Sequence, residues 1–165
     1  MREGRAVSSE RAAAQRGPQQ AQRLLGCSEV FSRLPAGARL LIIRLRSMGD
    51  TILMTPALRL LHQWRPDLRV SVLAEHPWNE LLEGNQAVHP LMAPGGKLST
   101  AWRLRRERFA LAINLHGGPT SAFLTRASGA RWRAGFEHFR NGFVYNLHVP
   151  TAQRILNREG PVHTA

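Results

Sequence analysis

Apolar runs alternate with amphipathic ones along the chain from about residue 39 onwards. LLIIRL (40–45) is a continuous, β-branched apolar run, the pattern of a strand covered on both faces. From Thr51 to Trp64 the spacing predicts a helix, with apolar positions at Ile52, Leu53, Leu58, Leu60 and Leu61 and a stop at Pro66-Asp67. RVSVLA (69–74) alternates as a second strand. Pro77 to Leu82 reads as a short helix ended by Gly84-Asn85, and AVHPLM (87–92) as a weaker strand that Pro90 moves towards a sheet edge. Pro94-Gly95-Gly96 is a loop. LSTAWRLRRER (98–108) follows as a basic helix with Trp102 and Leu104 turned inward. FALAINL (109–115) is the strongest strand after the first. His116-Gly117-Gly118-Pro119 then turns the chain, and Thr120 is placed to cap a helix reaching Ser128. RWRAGF (131–136) and VYNLHV (144–149) are further short strands. Strands alternating with helices predict an α/β fold with a mainly parallel sheet.

Residues 1–36 read differently. They are rich in Ala, Gln, Arg and Ser, and Gly17-Pro18 interrupts the helical turns expected around Gln19 to Leu25. Their apolar stripe is too thin to bury, which predicts a basic mobile tail or a loosely docked helix. Pro35-Ala36-Gly37 marks the boundary, and one ordered domain is expected over 37–160. A chain of 165 residues with 43% hydrophobic content has enough apolar material for one such core.

Charge narrows the choice of partner. The net charge is +12, and of 23 cationic residues only Lys97 is a lysine. Arginine favours bidentate contact with phosphate or carboxylate groups. An anionic partner follows (nucleic acid, a phosphorylated small molecule or acidic lipid head groups), with solvated arginine faces as the plainer reading. No RNP-like aromatic motif or helix-turn-helix signal is present, which disfavours nucleic acid. Cys27 is the single cysteine, so there is no intrachain disulfide framework, as suits a reducing compartment. No apolar run approaches the roughly 20 residues that span a bilayer, and the N-terminus has no continuous apolar segment of the signal-peptide kind. A cytoplasmic location is expected, with peripheral membrane contact left open.

The chemistry concentrates in the turn after the first strand, Arg46-Ser47-Met48-Gly49-Asp50. In a doubly wound sheet this βα turn is where ligands bind, and Gly49 lets the backbone bend or approach a ligand closely. Ser47-x-x-Asp50 fits a capping box, and Asp50 also suits the N-cap position itself; Thr55-Pro56 is a second helix start, so a stepped first turn is expected. The other reading makes Asp50 a general base, held ionised by neighbouring arginines and the helix N-terminus. Such a weak base suits a hydroxyl proton that leaves late, after a phosphate leaving group has begun to depart, as in glycosyl transfer from a nucleotide sugar.

Neither a Walker loop nor a dinucleotide fingerprint follows the first strand. HGGPTS (116–121) is a second glycine-rich junction, in which Gly117 and Gly118 can turn backbone N–H groups to a ligand and Thr120 adds a hydroxyl. A tight βα turn accounts for it equally well. Lys97, Arg103, Arg105 and Arg106 make one side of the basic helix, either a solvated face or a patch for a phosphorylated acceptor. The seven histidines show no zinc spacing and no G-x-S-x-G elbow is present, so no metal, no cofactor and no acyl transfer are expected.

Three stretches together resemble the N-terminal half of the bacterial heptosyltransferases, glycosyltransferase family 9. They are LLIIRLRSMGDTILMTPALRLLHQWRPDLRVSVLAE, NELLEGNQAVHPLM and FALAINLHGGPTSAFLTRASGARWRAGF. The S-M-G-D turn followed by T-P-A-L is the most specific part, and the likeness runs from about Arg39 to His163. Ala110 stands where the family's pattern usually has Asp, and the tail before Arg39 is an addition.

The resemblance implies a Rossmann-like domain, the N-terminal half of a GT-B fold, in an inverting enzyme that moves heptose from ADP-heptose to the lipopolysaccharide inner core. It implies Asp50 as the base for the acceptor hydroxyl, with Arg44, Ser47, Met48 and Gly49 facing the acceptor. Lys97, Arg103, Arg105 and Arg106 would meet its phosphates, and Gly117, Gly118 and Thr120 would lie near the cleft. The nucleotide-sugar donor would bind a C-terminal domain absent from these residues. Residues 161–165 would then begin a truncated connection, and this chain alone is expected not to transfer sugar. The alternative is a non-catalytic basic α/β module for nucleic acid or phosphorylated ligands.

Overall fold

The computed structural model describes residues 29–156. The expected connection at 161–165, Cys27 and most of the N-terminal segment lie outside these residues. The chain divides between Arg33 and Leu34, and the second unit carries the fold described below.

The elements run β1 (Arg39–Ile43), α1 (Met48–Leu53), α2 (Thr55–Trp64), β2 (Arg69–Leu73), a 3-10 turn (Trp78–Leu82), β3 (Leu91–Met92), α3 (Lys97–Arg106) and β4 (Leu111–Asn114). After them come α4 (Pro119–Ala127), β5 (Trp132–Phe136), a second 3-10 turn (Gly142–Val144), β6 (Leu147–Val149) and α5 (Ala152–Leu156). The six strands form one parallel sheet in the order β3-β2-β1-β4-β5-β6. The chain starts in the middle, builds outward through β2 and β3, then returns beside β1 and builds the other way. The reversal makes β1 and β4 neighbours and leaves a crevice beyond their C-terminal ends, the place where open α/β sheets bind ligands.

β1 is apolar throughout because both its faces are covered: Leu40, Leu41 and Ile43 are fully buried. Leu41, Ile43, Leu73 and Ala112 pack with Leu104 of α3 and Leu124 of α4 in one cluster. Each fully buried leucine of this kind stabilises the fold by about 1.5–3 kcal/mol.

Several expectations need correction. The helix over 51–64 is two helices, α1 and α2, stepping at Met54, as the second start at Thr55-Pro56 allows. The stripe turned inward is Thr51, Met54 and Leu58, whereas Ile52, Leu53 and Leu60 are exposed. In α3, Thr100 and Leu104 face the core, but Trp102 is 61% exposed and carries Arg106 stacked 4.4 Å over its ring. Thr120 lies inside α4; Gly118 is the N-cap position and Pro119 follows it, where the missing N–H costs nothing. The last predicted strand shortens to Leu147–Val149, because Val144 ends the second 3-10 turn and Tyr145 caps it, both of them buried.

Candidate functional site

β1 delivers Arg44 to the C-terminal edge of the sheet, where its main-chain N–H donates to the Leu73 carbonyl (3.0 Å). The side chain is largely buried, and its Nη1 donates to the Leu115 carbonyl at the end of β4. Its Nη2 pairs with Oδ2 of Asp50, which also accepts a hydrogen bond from Ser47 Oγ (2.7 Å). Both contacts fall on Oδ2, so Oδ1 keeps its lone pairs for a third group, and the Asp50 side chain remains 30% exposed. Burial pulls the Arg44 guanidinium below its ordinary pKa, although it remains a cation at neutral pH.

The capping-box geometry does not form. Ser47 occupies the N-cap position of α1 without a side-chain cap hydrogen bond, and its hydroxyl turns to the carboxylate instead. Asp50 is the third residue of that helix, so its role lies in the Arg44 and Ser47 contacts. Gly49 is helical, and a Cβ added there would meet nothing within 4 Å. The turn does not need a glycine for its bend. Met48 is exposed beside it.

Arg46 reaches away to Glu75 (Nε to Oε2, 2.9 Å), just beyond β2, whose main-chain N–H donates to the Leu45 carbonyl (3.0 Å). The rim is therefore two arginines matched by two carboxylates. His116 lies in the same field. Burial first, then the Arg44 charge, hold its imidazole below the ordinary value, with Glu75 opposing and Arg46 adding. His116 is neutral at pH 7 and able to accept a hydrogen bond.

The second loop is organised by a residue that the sequence reading left unassigned. Asn114, at the end of β4, is fully buried. Its Oδ1 accepts from the main-chain N–H groups of His116 (2.9 Å) and Gly117 (3.1 Å). Its Nδ2 donates to Ser121 Oγ (3.1 Å) and Tyr145 Oη (2.8 Å), which satisfies the whole amide. Burial raises the Tyr145 phenol above its ordinary value, with the Asn114 contact acting against it. Gly117 has φ +74, and a Cβ there would lie 2.4 Å from the Phe139 ring. Here glycine is required. The signal in the sequence was a polar amide at the end of a buried apolar run, with Leu115 and His116 between it and two glycines.

The basic helix splits the residues expected to act together. Lys97 opens α3 at the C-terminal edge of the sheet, and its side chain forms no ion pair or hydrogen bond among the described residues. Arg103, Arg105 and Arg106 occupy its last turn, and at 1.5 Å rise per residue Arg105 stands about 12 Å further along the axis. Arg103 holds the Ala93 carbonyl in the loop after β3. The Arg105 guanidinium lies against Gly129, just past the end of α4, where a cation is favoured by the helix dipole. Thr120 is half-buried in the first turn of α4, and Gly118 precedes it at the rim. Arg44, Ser47, Asp50 and the HGGP turn thus share one edge, with Lys97 at its side. No group of three or more metal-ligating side chains occurs among the described residues.

No family model and no curated protein matches the sequence. Solved structures do match the fold. One is the crystal structure of a glycosyl transferase family 9 protein from Veillonella parvula, with TM-score 0.59 and 19% identity over 70% of this chain and 36% of that one. Another is E. coli heptosyltransferase WaaC with ADP, with TM-score 0.60 and 22% identity over 69% of this chain and 41% of that one. A third is E. coli ADP-heptose lps heptosyltransferase II, with TM-score 0.58 and 23% identity over 66% and 33%. At these identities the shared property is the fold, a Rossmann-like α/β domain. The chain spans between about a third and two fifths of the length of these neighbours.

Proposed function

We propose that this domain is the acceptor-binding, base-carrying half of an inverting glycosyltransferase that moves heptose from ADP-heptose to the lipopolysaccharide inner core. The observation that carries the reading is the Arg44–Asp50–Ser47 cluster in the crevice between β1 and β4, in a fold shared with heptosyltransferases. Its location would be cytoplasmic, at the membrane face where a sugar-lipid acceptor is presented. No helix among the described residues is long and apolar enough to cross a membrane.

In this reading Arg44 and Ser47 hold Oδ2 of Asp50 and fix the carboxylate's orientation, while Oδ1 accepts the proton of the acceptor hydroxyl. The acceptor oxygen attacks the anomeric carbon from the face opposite the nucleoside diphosphate. The bond to the diphosphate oxygen breaks, its electron pair leaves with the diphosphate, and the configuration inverts. Because the leaving group departs early, a strong base is not required. Met48 and Gly49 offer open surface for the acceptor to approach, and Lys97 stands ready for its phosphates. Arg103, Arg105 and Arg106 form a second, more distant part of that basic face. The donor nucleotide would be held by a further domain, so these 165 residues alone should not turn over ADP-heptose.

The test is Asp50→Asn in a chain joined to a donor domain. General-base catalysis contributes about 10²–10⁴-fold, and a loss of that size in transfer with unchanged acceptor binding is expected. Full activity in the variant refutes the assignment. Loss of acceptor binding together with activity would instead favour the non-catalytic, anion-binding reading.

A further inference from the structure

The opposite edge of the sheet carries a second concave site. Arg39 and Arg69 begin β1 and β2 and are direct partners in the parallel register. Their side chains therefore leave the same face of the sheet on neighbouring strands, an arrangement in which like charges destabilise the pair. The charges are only half compensated. Arg39 Nη2 pairs with Glu107 Oε2 (2.5 Å), whereas Arg69 has no acidic partner among the described residues. Arg39 Nε is buried without a hydrogen-bond acceptor. Around the two arginines lies an open cavity of about 510 Å³, bordered by His62 from the last turn of α2 and His89 from the loop before β3. Leu68 and Val70 give it an apolar wall, and among the described residues that line it none is a carboxylate.

We propose that this cavity binds a small phosphate monoester with a compact apolar or aromatic body. The phosphate would lie between Arg39 and Arg69, relieving their repulsion and giving Arg69 the charge partner it lacks. Guanidinium forks match phosphate oxygens in pairs, and the histidine rings add further donors at the rim. The apolar body would cover Leu68 and Val70. The site lies at the N-terminal ends of the strands, across the sheet from Asp50, so it is separate from the crevice at the C-terminal edge.

An NMR titration of the isotope-labelled 165-residue chain tests this, with phenyl phosphate, inorganic phosphate and phenol as probes. Phenyl phosphate should saturably shift the amides of Arg69, Val70 and His89, inorganic phosphate should do so more weakly, and phenol more weakly still. Arg69→Gln keeps the main-chain bond from residue 69 to the Ala38 carbonyl. Losing a charge-assisted hydrogen-bonding pair should weaken phenyl phosphate about tenfold. Thermal unfolding of the variant checks that the fold is retained, and the shift map of the unaltered chain tests the location without any variant. Shifts confined to Arg44–Asp50 and α3, non-saturating shifts, or an unchanged affinity in a folded Arg69→Gln would each overturn the proposal.

Discussion

Arg44 reaches back from the end of β1 to pair with Asp50 six residues later, and with the same guanidinium it holds the Leu115 carbonyl 71 positions away. One side chain thus fixes both the carboxylate and the neighbouring loop. Replacing it with methionine should leave the Leu115 carbonyl and a partly buried carboxylate without their charged partner. A loss of about 1–3 kcal/mol is expected, read from chemical denaturation. Asp50→Asn should cost much less, since an amide still accepts from Ser47 and from Arg44. If the two variants prove equally stable, Arg44 does not have this double role.

Gly49 offers a sharper separation of fold from function. It is helical, its φ is ordinary, and nothing stands near a built Cβ. Alanine should therefore raise stability by about 0.5–1 kcal/mol. If the acceptor approaches this backbone closely, the same variant should bind acceptor poorly. A destabilised Gly49→Ala chain would show that the turn itself needs glycine.

Asn114 makes two accepted and two donated hydrogen bonds while fully buried. Alanine there strands two main-chain donors and the Tyr145 hydroxyl, and should cost about 2–4 kcal/mol in urea unfolding. Tyr145→Phe removes one of the four bonds and should cost about 1 kcal/mol. Equal costs for the two would contradict the node described here.

Acid stability should carry a trace of the Arg65–Asp67 pair. The Arg65 hydrogen bond holds the Asp67 carboxyl down from 3.8 to about 2 in the folded chain. The folded value lies below the unfolded one, so the unfolded chain binds the proton more readily between them. The pair's contribution is fully present above pH 3.8 and is lost as the pH falls towards 2. Arg65→Ala should return the Asp67 midpoint, followed by carboxyl NMR, to about its unperturbed value. A midpoint unmoved by that substitution would assign the shift to another cause.

The central strands were legible because apolar residues dominate them: β1, β2 and β4 lie within the runs marked in the sequence, although β2, read as alternating, is buried from Val70 to Leu73 with Ser71 included. The parallel α/β class followed from the alternation of strands with helices. Helix faces were harder. Ile52, Leu53, Leu60 and Trp102 are apolar yet exposed, while Thr51 and Thr100 are buried in their place, since hydroxyls that bond within the chain can enter a core. The Ser47–Asp50 spacing pointed to a contact between the two, but local spacing alone favoured a cap. What redirects Ser47 to the carboxylate is Arg44, whose own position depends on β4. Asn114 was missed for the same reason: its partners Ser121 and Tyr145 come from two different later segments.

The contact from Arg44 to Leu115 has a further consequence, for the order in which the molecule forms. β1 and β4 are neighbours in space but are separated in sequence by two other strands and three helices. The carboxylate cannot be held in place until a loop of 71 residues has closed, a step whose entropic cost precedes any reward from the contacts it makes. An emerging or partly unfolded chain can therefore hold a complete S-M-G-D turn and still present no organised base. The geometry at Asp50 is a property of the assembled sheet, and its appearance during refolding should coincide with the pairing of β1 with β4.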